Sequence, residues 1–327
     1  MYLRVYTTRY IQEIHMDLQY LLSLQSFRNA TKGIFNSFFI FISQFGEVDL
    51  PIIITIIFYY AVDKMLGKFM LLGNSIALFA NGILKLTACV YRPWIREPRI
   101  IPPASAYTSA TGYSFPSAHA SISTGVYGTA AVYYRKRTAL CIWFAVLLSL
   151  IMFSRNYLGV HTPQDVLAGF SITVVFMLIT YKAVTWAEKK YSRDIKILIG
   201  SIILATLSLI YFSLKSYPMD YTAEGKLIVN PAAMVPDSFY ASGAFLGAIT
   251  GWFIERRYIK FTTNVSTENK VLRCISGTLA FSAGRWLIGI PAITLFGMKA
   301  GYFILAFITI FYVSAIHPLI FTHTEKV

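Results

Sequence analysis

The chain has 327 residues, of which 56% are hydrophobic and only 13% are charged, about half the charged share of an average soluble domain. Its formal net charge of +14 does not indicate nucleic-acid binding, because the lysines and arginines lie in short gaps between apolar windows and no groove-binding motif accompanies them. Composition therefore excludes a soluble protein and predicts a chain that crosses a membrane several times.

The first predicted element is an amphipathic helix over residues 13–28 that lies along the membrane interface. Two short apolar windows follow, 33–46 and 50–62, and they fit either two tilted helices or one re-entrant pair. Longer windows predict an all-α polytopic membrane helix bundle with nine or ten membrane helices in total; they cover residues 69–88, 117–134, 138–153, 164–186, 197–215, 238–255, 271–290 and 299–320.

Lysine and arginine are unevenly divided among the gaps between these windows. Basic gaps are typical of the cytoplasmic side, which is predicted for the gaps after residues 63, 134, 186 and 255. The less basic gaps then share the external face, namely 92–116, 154–163 and 215–237.

A charged stretch from Glu188 to Lys196 divides the chain. We expect residues 1–190 to form one unit, in which residues 1–32 are the interfacial segment. Residues 191–327 are expected to add a bundle of about four transmembrane helices of unknown role.

Three polar clusters fall on the predicted external face, and the first joins Lys85 to Arg92. Their seven-residue interval is nearly two helical turns, so both cations can point to one side before Pro93 ends the helix. A lysine so close to an apolar span is costly without an anionic partner. A snorkelling lysine beside an interfacial arginine would produce the same pattern.

The second cluster is residues 115–120, which open the helix predicted at 117–134 because proline is favoured at a first helical position. Free backbone amides at this end attract a phosphate oxygen, and the Ser117 hydroxyl adds another donor. His119 would stand in the first turn beside that anion. The alternative is a histidine that only caps a helix near lipid headgroups.

The third cluster runs from Arg155 to His161 and Asp165. The last two are four residues apart, so within one helical turn the carboxylate can hold one imidazole nitrogen. The other nitrogen is then free to attack, as in a catalytic triad. Arg155 closes the preceding helix and directs a fork of donors to the same place.

Together these clusters provide what phosphoryl transfer requires: cations around the phosphoryl oxygens, an in-line nucleophile and an acid for the leaving oxygen. Only one carboxylate is present, so a magnesium or two-metal site has little support. No metal and no other cofactor is expected.

The clusters resemble the three signatures of the type 2 phosphatidic acid phosphatase superfamily, in order and in spacing, over about residues 69–186. The resemblance implies a six-helix core in which His161 forms a phosphohistidine, Asp165 orients it and His119 protonates the leaving alcohol. It also implies a set of groups that bind the phosphoryl oxygens: Lys85, Arg92, Ser117, Ala118 and Arg155. The superfamily usually has glycine at the position of Ala118, and because the amide donor survives the added methyl group, activity is expected to be retained.

In the second half of the chain, Arg285 interrupts the apolar window 271–290. An intramembrane arginine is a functional candidate, and a helix running outward would bring this one to a lipid headgroup. The alternative is a structural partner for a helix end or a buried carbonyl.

The leading functional hypothesis is a metal-independent phosphatase of a lipid phosphate or diphosphate in the cell (cytoplasmic) membrane, with its active site on the external face. The lipid substrate and the membrane are the expected partners, nucleic acid is not, and the oligomeric state stays open. A phosphatase of a soluble ester, like the glucose-6-phosphatases of the same superfamily, is an alternative. A lipid or phosphate transporter or binding protein is another, but pure binding needs cations and no oriented nucleophile.

Overall fold

The computed structural model describes residues 2–110, 112–222 and 225–325, with side chains from residue 16 onwards except those of 108 and 109. Within these ranges the chain is helical and forms no β-strand, which confirms the predicted all-α bundle. The helices are α1 (Tyr2–Ala30), α2 (Asn36–Gln44), α3 (Asp49–Ile57), α4 (Lys64–Ala88), α5 (Pro93–Arg96), α6 (Ala104–Ser109), α7 (Ala118–Ser123), α8 (Thr129–Tyr133), α9 (Thr138–Tyr157), α10 (Pro163–Glu188), α11 (Ser192–Leu214), α12 (Pro231–Ile254), α13 (Thr267–Phe311) and α14 (His317–Thr324).

Four π-helical turns continue or join these helices: Phe58–Val62 after α3, Thr124–Gly128 between α7 and α8, Glu255–Ile259 after α12, and Tyr312–Ile316 between α13 and α14. By length and hydropathy, the described residues contain five segments able to cross a membrane, or six if the bent pair α2–α3 counts as one. The total of nine or ten membrane helices is not reached by this measure and stays a prediction.

Helices α2 and α3 form one discontinuous span, bent by 56° at the break over residues 45–48. At one end, the Tyr157 hydroxyl bonds Asn36 at 3.1 Å. At the other, the Tyr133 hydroxyl donates to Asp63, just beyond the π-helical turn, at 2.5 Å. Because Tyr157 and Tyr133 lie at opposite ends of the bundle, the two windows predicted at 33–46 and 50–62 together cross it once.

Helix α13 reverses direction at Gly297, whose φ of +74° lies in the left-handed region that glycine adopts without strain. On the two sides of this turn, Gly301 packs on Ile293 and Gly289 on Leu305, as in an antiparallel hairpin. The windows predicted at 271–290 and 299–320 are the two arms of this hairpin.

The bundle has two chemically different ends. One, here called the site end, is where α4 and α9 finish and α7 and α10 begin. The other, here called the basic end, carries the ion pair Lys64–Glu255, at 2.5 Å, between residues 1–190 and 191–327, and the ion pair Lys68–Glu188 within residues 1–190. The arginines and lysines after α8, α10 and α12 also lie at the basic end.

Helix α12 of the second half packs lengthwise on α4 of the first. The rings of Phe79 and Phe245 stack with their centroids 4.5 Å apart, and both belong to one apolar core that continues into the α13 hairpin. On its other side, Gly243 lies directly against the backbone of Phe303, so a Cβ at that glycine would meet the carbonyl oxygen at 2.2 Å. Residues beyond 190 are therefore in direct contact with the helix that carries Lys85.

Helix α1 is longer than the helix predicted at 13–28, and the side chains of Glu13 and Ile14 lie outside the described residues. Its described part docks on the site end. Leu18 and Leu21 pack with Ile100, and Asp17 forms an ion pair with Arg96 at 3.4 Å. The predicted position along a membrane interface stays a prediction.

Candidate active site

The three predicted clusters meet at the site end of the bundle. Arg92 Nη1 lies 2.9 Å from His161 Nε2, which joins the first cluster to the third. The backbone N–H of Ser117 donates to the carbonyl oxygen of Asp165 at 2.9 Å, which joins the second cluster to the third. All the predicted catalytic residues and phosphate-binding residues therefore belong to one site, with Arg285 as the exception described below.

Local chemistry explains the position of His161. Helix α9 ends at Tyr157, and Gly159 takes a φ of +71° where the chain turns back. Helix α10 then begins with Pro163 at its first position and a reciprocal capping box between Thr162 and Asp165. These signals hold His161 in the short turn between α9 and α10. The carbonyl oxygen of His161 accepts a hydrogen bond from the Asn156 side chain at 2.9 Å.

The imidazole of His161 lies between a carboxylate and a cation. Its Nδ1 is 3.6 Å from Asp165 Oδ2, and its Nε2 faces Arg92. Because an arginine N–H can only donate, Nε2 is the acceptor and the proton of the neutral ring is assigned to Nδ1, so the Nε2 lone pair points at the Arg92 guanidinium. Burial, and then the positive charge of Arg92, lower the pKa of His161 well below its usual value, which keeps the ring neutral and able to attack.

Ser114 is a site residue that sequence reasoning missed. Its hydroxyl donates to Asp165 Oδ2 at 2.6 Å and lies 3.4 Å from His161 Nδ1. The same carboxylate oxygen accepts the backbone N–H of Thr162 at 2.8 Å. The only sequence signal was a small polar residue two positions before Pro116, and that signal does not reveal its partner.

Lys85 binds the loop of residues 113–116, which precedes His119 in the chain. Its Nζ donates to the carbonyl oxygens of Tyr113 at 3.0 Å and Pro116 at 2.9 Å. Asn81, one helical turn earlier, donates to the Pro116 carbonyl oxygen at 3.3 Å. The predicted phosphate-binding lysine is thus also a support for the loop, and a phosphoryl oxygen must compete with these carbonyls for its protons.

Ser117 is the N-cap of α7 and accepts the amide of Ala120 at 3.4 Å. The carbonyl oxygen of Ser117 packs tightly on α10, where a Cβ on Gly169 would meet it at 2.6 Å. This close approach places the first turn of α7, with Ala118 and His119, beside the first turns of α10, where Asp165 lies.

His119 lies against the break of the discontinuous span. Its Nε2 is buried and has no hydrogen-bond partner among the described residues, and the nearest carboxylate oxygen is that of Glu47 at 3.9 Å. Gly46 packs on the same ring, where an added Cβ would be 3.1 Å from His119 Cδ2. An imidazole with an open nitrogen facing the site is suited to give a proton to a leaving group.

Arg155 is fully buried behind the site. Its guanidinium donates to the hydroxyl of Ser43, at the end of α2, while its Nε is buried without a hydrogen-bond partner in the described structure. Ser43 and Glu47 therefore bring the broken span into the site, which the sequence did not predict. The available sequence signal was the two carboxylates, Glu47 and Asp49, between the apolar windows 33–46 and 50–62.

Arg285 lies apart from the cations that are predicted to bind phosphate. It forms an ion pair with Asp49, the first residue of α3, and the two side chains are 36% and 58% exposed. It therefore contacts the broken span from the α13 hairpin. Its predicted contact with a lipid headgroup stays a prediction.

The charge of the site is dominated by cations. Among the described side chains, no group of three or more His, Cys, Asp or Glu is arranged to hold a metal ion. Lys85, Arg92 and Arg155 instead surround the two histidines, which suits a dianionic phosphoryl group.

Comparison with known proteins identifies two segments. Residues 67–189 match the PAP2 superfamily, and residues 239–326 match the transmembrane extension of PAP2 superfamily phosphatases. The first segment contains all three clusters, and the second contains Arg285. Together the two matches cover more than half of the chain.

Three curated relatives are similar to the chain. A probable sphingosine-1-phosphate phosphatase of Dictyostelium discoideum is 25% identical over 76% of this chain and 60% of the relative. Sphingosine-1-phosphate phosphatase 2 of Mus musculus is 29% identical over 51% of this chain and 46% of its own length. The undecaprenyl-diphosphatase of Sulfolobus acidocaldarius is 27% identical over 41% of this chain and 64% of the relative. The chain thus spans less than two thirds of each relative, and no solved structure matches it.

Proposed function

Because the chain belongs to the PAP2 superfamily, we propose that it hydrolyses the phosphate ester of a membrane lipid through a phosphohistidine formed on His161. The observation that carries this proposal is the orientation of His161. Its Nδ1 faces Asp165, and its Nε2 faces the cations that would bind a phosphoryl group. A site that only bound phosphate would not need an oriented, neutral imidazole.

In the first step, the Nε2 lone pair of His161 attacks phosphorus and the P–O bond to the lipid alcohol breaks. The developing imidazolium is stabilised by Asp165, which is itself held by Ser114. His119, which is protonated once the dianionic phosphoryl group is bound beside it, gives its proton to the leaving oxygen, so the lipid departs as a neutral alcohol.

In the second step, a water molecule attacks phosphorus from the side that the alcohol has left. His119, now neutral, takes a proton from the water, the P–N bond breaks, and phosphate departs. His161 regains its lone pair, and His119 is again protonated for the next cycle.

The other predicted residues stabilise the charge of the transferring group. Arg92 and Arg155 offer guanidinium donors, Lys85 an ammonium, and Ser117 and the Ala118 amide complete the set. The buried Nε of Arg155 is one donor that a phosphoryl oxygen would satisfy. The methyl group of Ala118 leaves its amide in place.

The chain is a multi-pass membrane protein. We place the site on the external face of the cytoplasmic membrane, because the basic end is rich in lysine and arginine and those residues gather on the cytoplasmic side. We further propose that residues 1–190 form the catalytic unit, with 1–32 as an interfacial segment, and that 191–327 support it.

A lipid is the favoured substrate class, because the curated relatives are named for a sphingoid phosphate and a polyprenyl diphosphate. Chemistry favours it as well. Arg285 and Asp49 are partly exposed beside the broken span that reaches His119, so a lipid headgroup that approached along this span would meet polar groups.

The test is phosphate release by the purified protein from a panel of lipid phosphates, lipid diphosphates and glucose 6-phosphate, with EDTA throughout. Wild type should release phosphate from at least one lipid, and His161→Ala should lose at least about 1000-fold in rate. A matched control is His323→Ala, which removes a histidine from the last turn of α14 at the basic end. Equal rates for wild type and His161→Ala would overturn the nucleophile, and release from glucose 6-phosphate alone would favour the soluble ester.

A further inference from the structure

Glu47 lies at the break of the discontinuous span, beside the proposed acid of the reaction. Its carboxylate is 3.9 Å from His119 Nε2, and its side chain is 52% exposed. No lysine or arginine lies within ion-pair distance of it among the described residues. A half-exposed carboxylate without a lysine or arginine partner is suited to bind a cation that comes with the substrate.

The neighbouring carboxylate provides an internal comparison. Asp49, two residues further on, is paired with Arg285 from the α13 hairpin. The hairpin thus neutralises one carboxylate of the broken span and leaves the other available. Among the described residues, the ion-pair partner of Glu47 is the imidazole of His119, the proposed acid.

The reaction geometry decides which part of the substrate Glu47 would meet. In-line displacement places the leaving oxygen on the side of phosphorus opposite His161 Nε2, and the proposed acid there is His119. Glu47 is adjacent to His119 on the side of the broken span, so a leaving alcohol that receives its proton from His119 would bring its first carbon atoms close to Glu47.

We propose that Glu47 is the specificity-determining residue of a leaving-group subsite that favours a positively charged leaving alcohol, an amino alcohol whose ammonium lies close to the ester oxygen. The inference rests on the proposed function. The same carboxylate disfavours a diphosphate substrate, because there the leaving group is a phosphate monoester that brings negative charge to Glu47. The subsite thereby separates the two substrate classes for which the relatives are named.

The experiment compares two substrates that differ in one group: a long-chain 2-amino alcohol 1-phosphate and the same chain with a hydroxyl in place of the amine. A polyprenyl diphosphate is the third substrate. Wild type should prefer the amine substrate in kcat/KM by about 10-fold, the size expected of one charge-assisted contact. Glu47→Gln should reduce this preference to within about twofold and raise the relative rate on the diphosphate.

Two further variants complete the design. Glu47→Asp keeps the charge and should keep most of the preference. Glu268→Gln removes the same charge from the exposed first turn of α13, at the basic end, and should leave all three rates unchanged. Both variants also report whether the purified protein is folded.

An equal fall on all three substrates in Glu47→Gln would overturn the proposal, because it would mean that the carboxylate acts only through His119. An amine preference that survives in Glu47→Gln would overturn it as well, and the proposed function would stand in both cases. Failure of wild type to release phosphate from any substrate would overturn the proposed function and this inference together.

Discussion

The hydroxyl of Ser114 donates a 2.6 Å hydrogen bond to Asp165, the carboxylate that faces the proposed nucleophile. The direct distance from Asp165 to His161 Nδ1 is 3.6 Å, which is longer than a hydrogen bond. Ser114 lies close to both groups, at 3.4 Å from the imidazole. The orientation of His161 therefore depends on a loop residue outside the helix that carries Asp165.

Ser114→Ala is expected to lower kcat by about 10-fold or more, because a hydrogen bond to a charged group contributes roughly 1.5–3 kcal/mol. KM should change less, since Ser114 has no place among the phosphate-binding groups. The measurement is steady-state phosphate release, with Ser213→Ala, an exposed serine on α11, as the control. An unchanged kcat would show that the bond to Asp165 does not control the imidazole.

The pH dependence of kcat/KM should report the environment of His161. Its pKa is lowered by burial first and by Arg92 second, so the ring stays neutral below its usual pKa of about 6.5. The loss of activity on the acid side should therefore begin below that pH. Arg92→Gln removes one positive charge, so the pKa of His161 rises and the acid limb moves to higher pH.

The pH profiles are compared after each is normalised to its own maximum, because Arg92→Gln also loses a phosphate-binding group. Lys68→Gln serves as the charge-matched control from the basic end of α4. An acid limb that moves to lower pH in Arg92→Gln would contradict the assignment.

The ion pair between Arg285 and Asp49 should couple the α13 hairpin to the broken span. Arg285→Gln leaves Asp49 without a cation, so the free energy of unfolding in detergent is expected to fall by about 1 kcal/mol. Asp49→Asn should lower the free energy of unfolding by a similar amount, and the double variant should lower it by less than the sum of the two single losses. Strictly additive losses would show that the two residues do not interact.

Much of the candidate site could be predicted from the sequence because the spacing of its residues is local. The capping box at Thr162 and Asp165 and the proline at position 163 specify the start of α10, and they thereby determine where His161 stands. The uneven distribution of lysine and arginine likewise predicted which helix ends lie together. The capping box and the proline act within one helical turn, whereas the charge distribution is a pattern of the whole chain.

Ser114, Ser43 and Glu47 could not be placed from the sequence, because each reaches the site through a contact distant in the chain. The bond between Arg155 and Ser43 joins residues 112 positions apart. For the same reason Arg285 was assigned no partner, since Asp49 lies in a window whose path through the bundle was open. Periodicity predicts a helix and its buried face, but it does not predict which helix packs there.

The second half of the chain also supports the catalytic loop directly. The sulfur of Met234 on α12 accepts the backbone N–H of Tyr113 at 3.2 Å, one residue before Ser114. Met234 is buried, and it packs on Gly112, whose φ of +66° needs a residue without a side chain. The loop that carries Ser114 thus packs on the first turn of α12.

Met234→Ala is expected to destabilise the protein by about 2–4 kcal/mol, the usual loss for a buried methionine, and to lower kcat because the loop loses its support. KM should change less, since the phosphate-binding cations are held by other contacts. Leu287→Ala truncates a side chain that is 74% exposed on the α13 hairpin, and it should change neither quantity. If Met234→Ala lowered stability and left kcat at the wild-type value, α12 would stabilise the bundle without positioning the loop that carries Ser114.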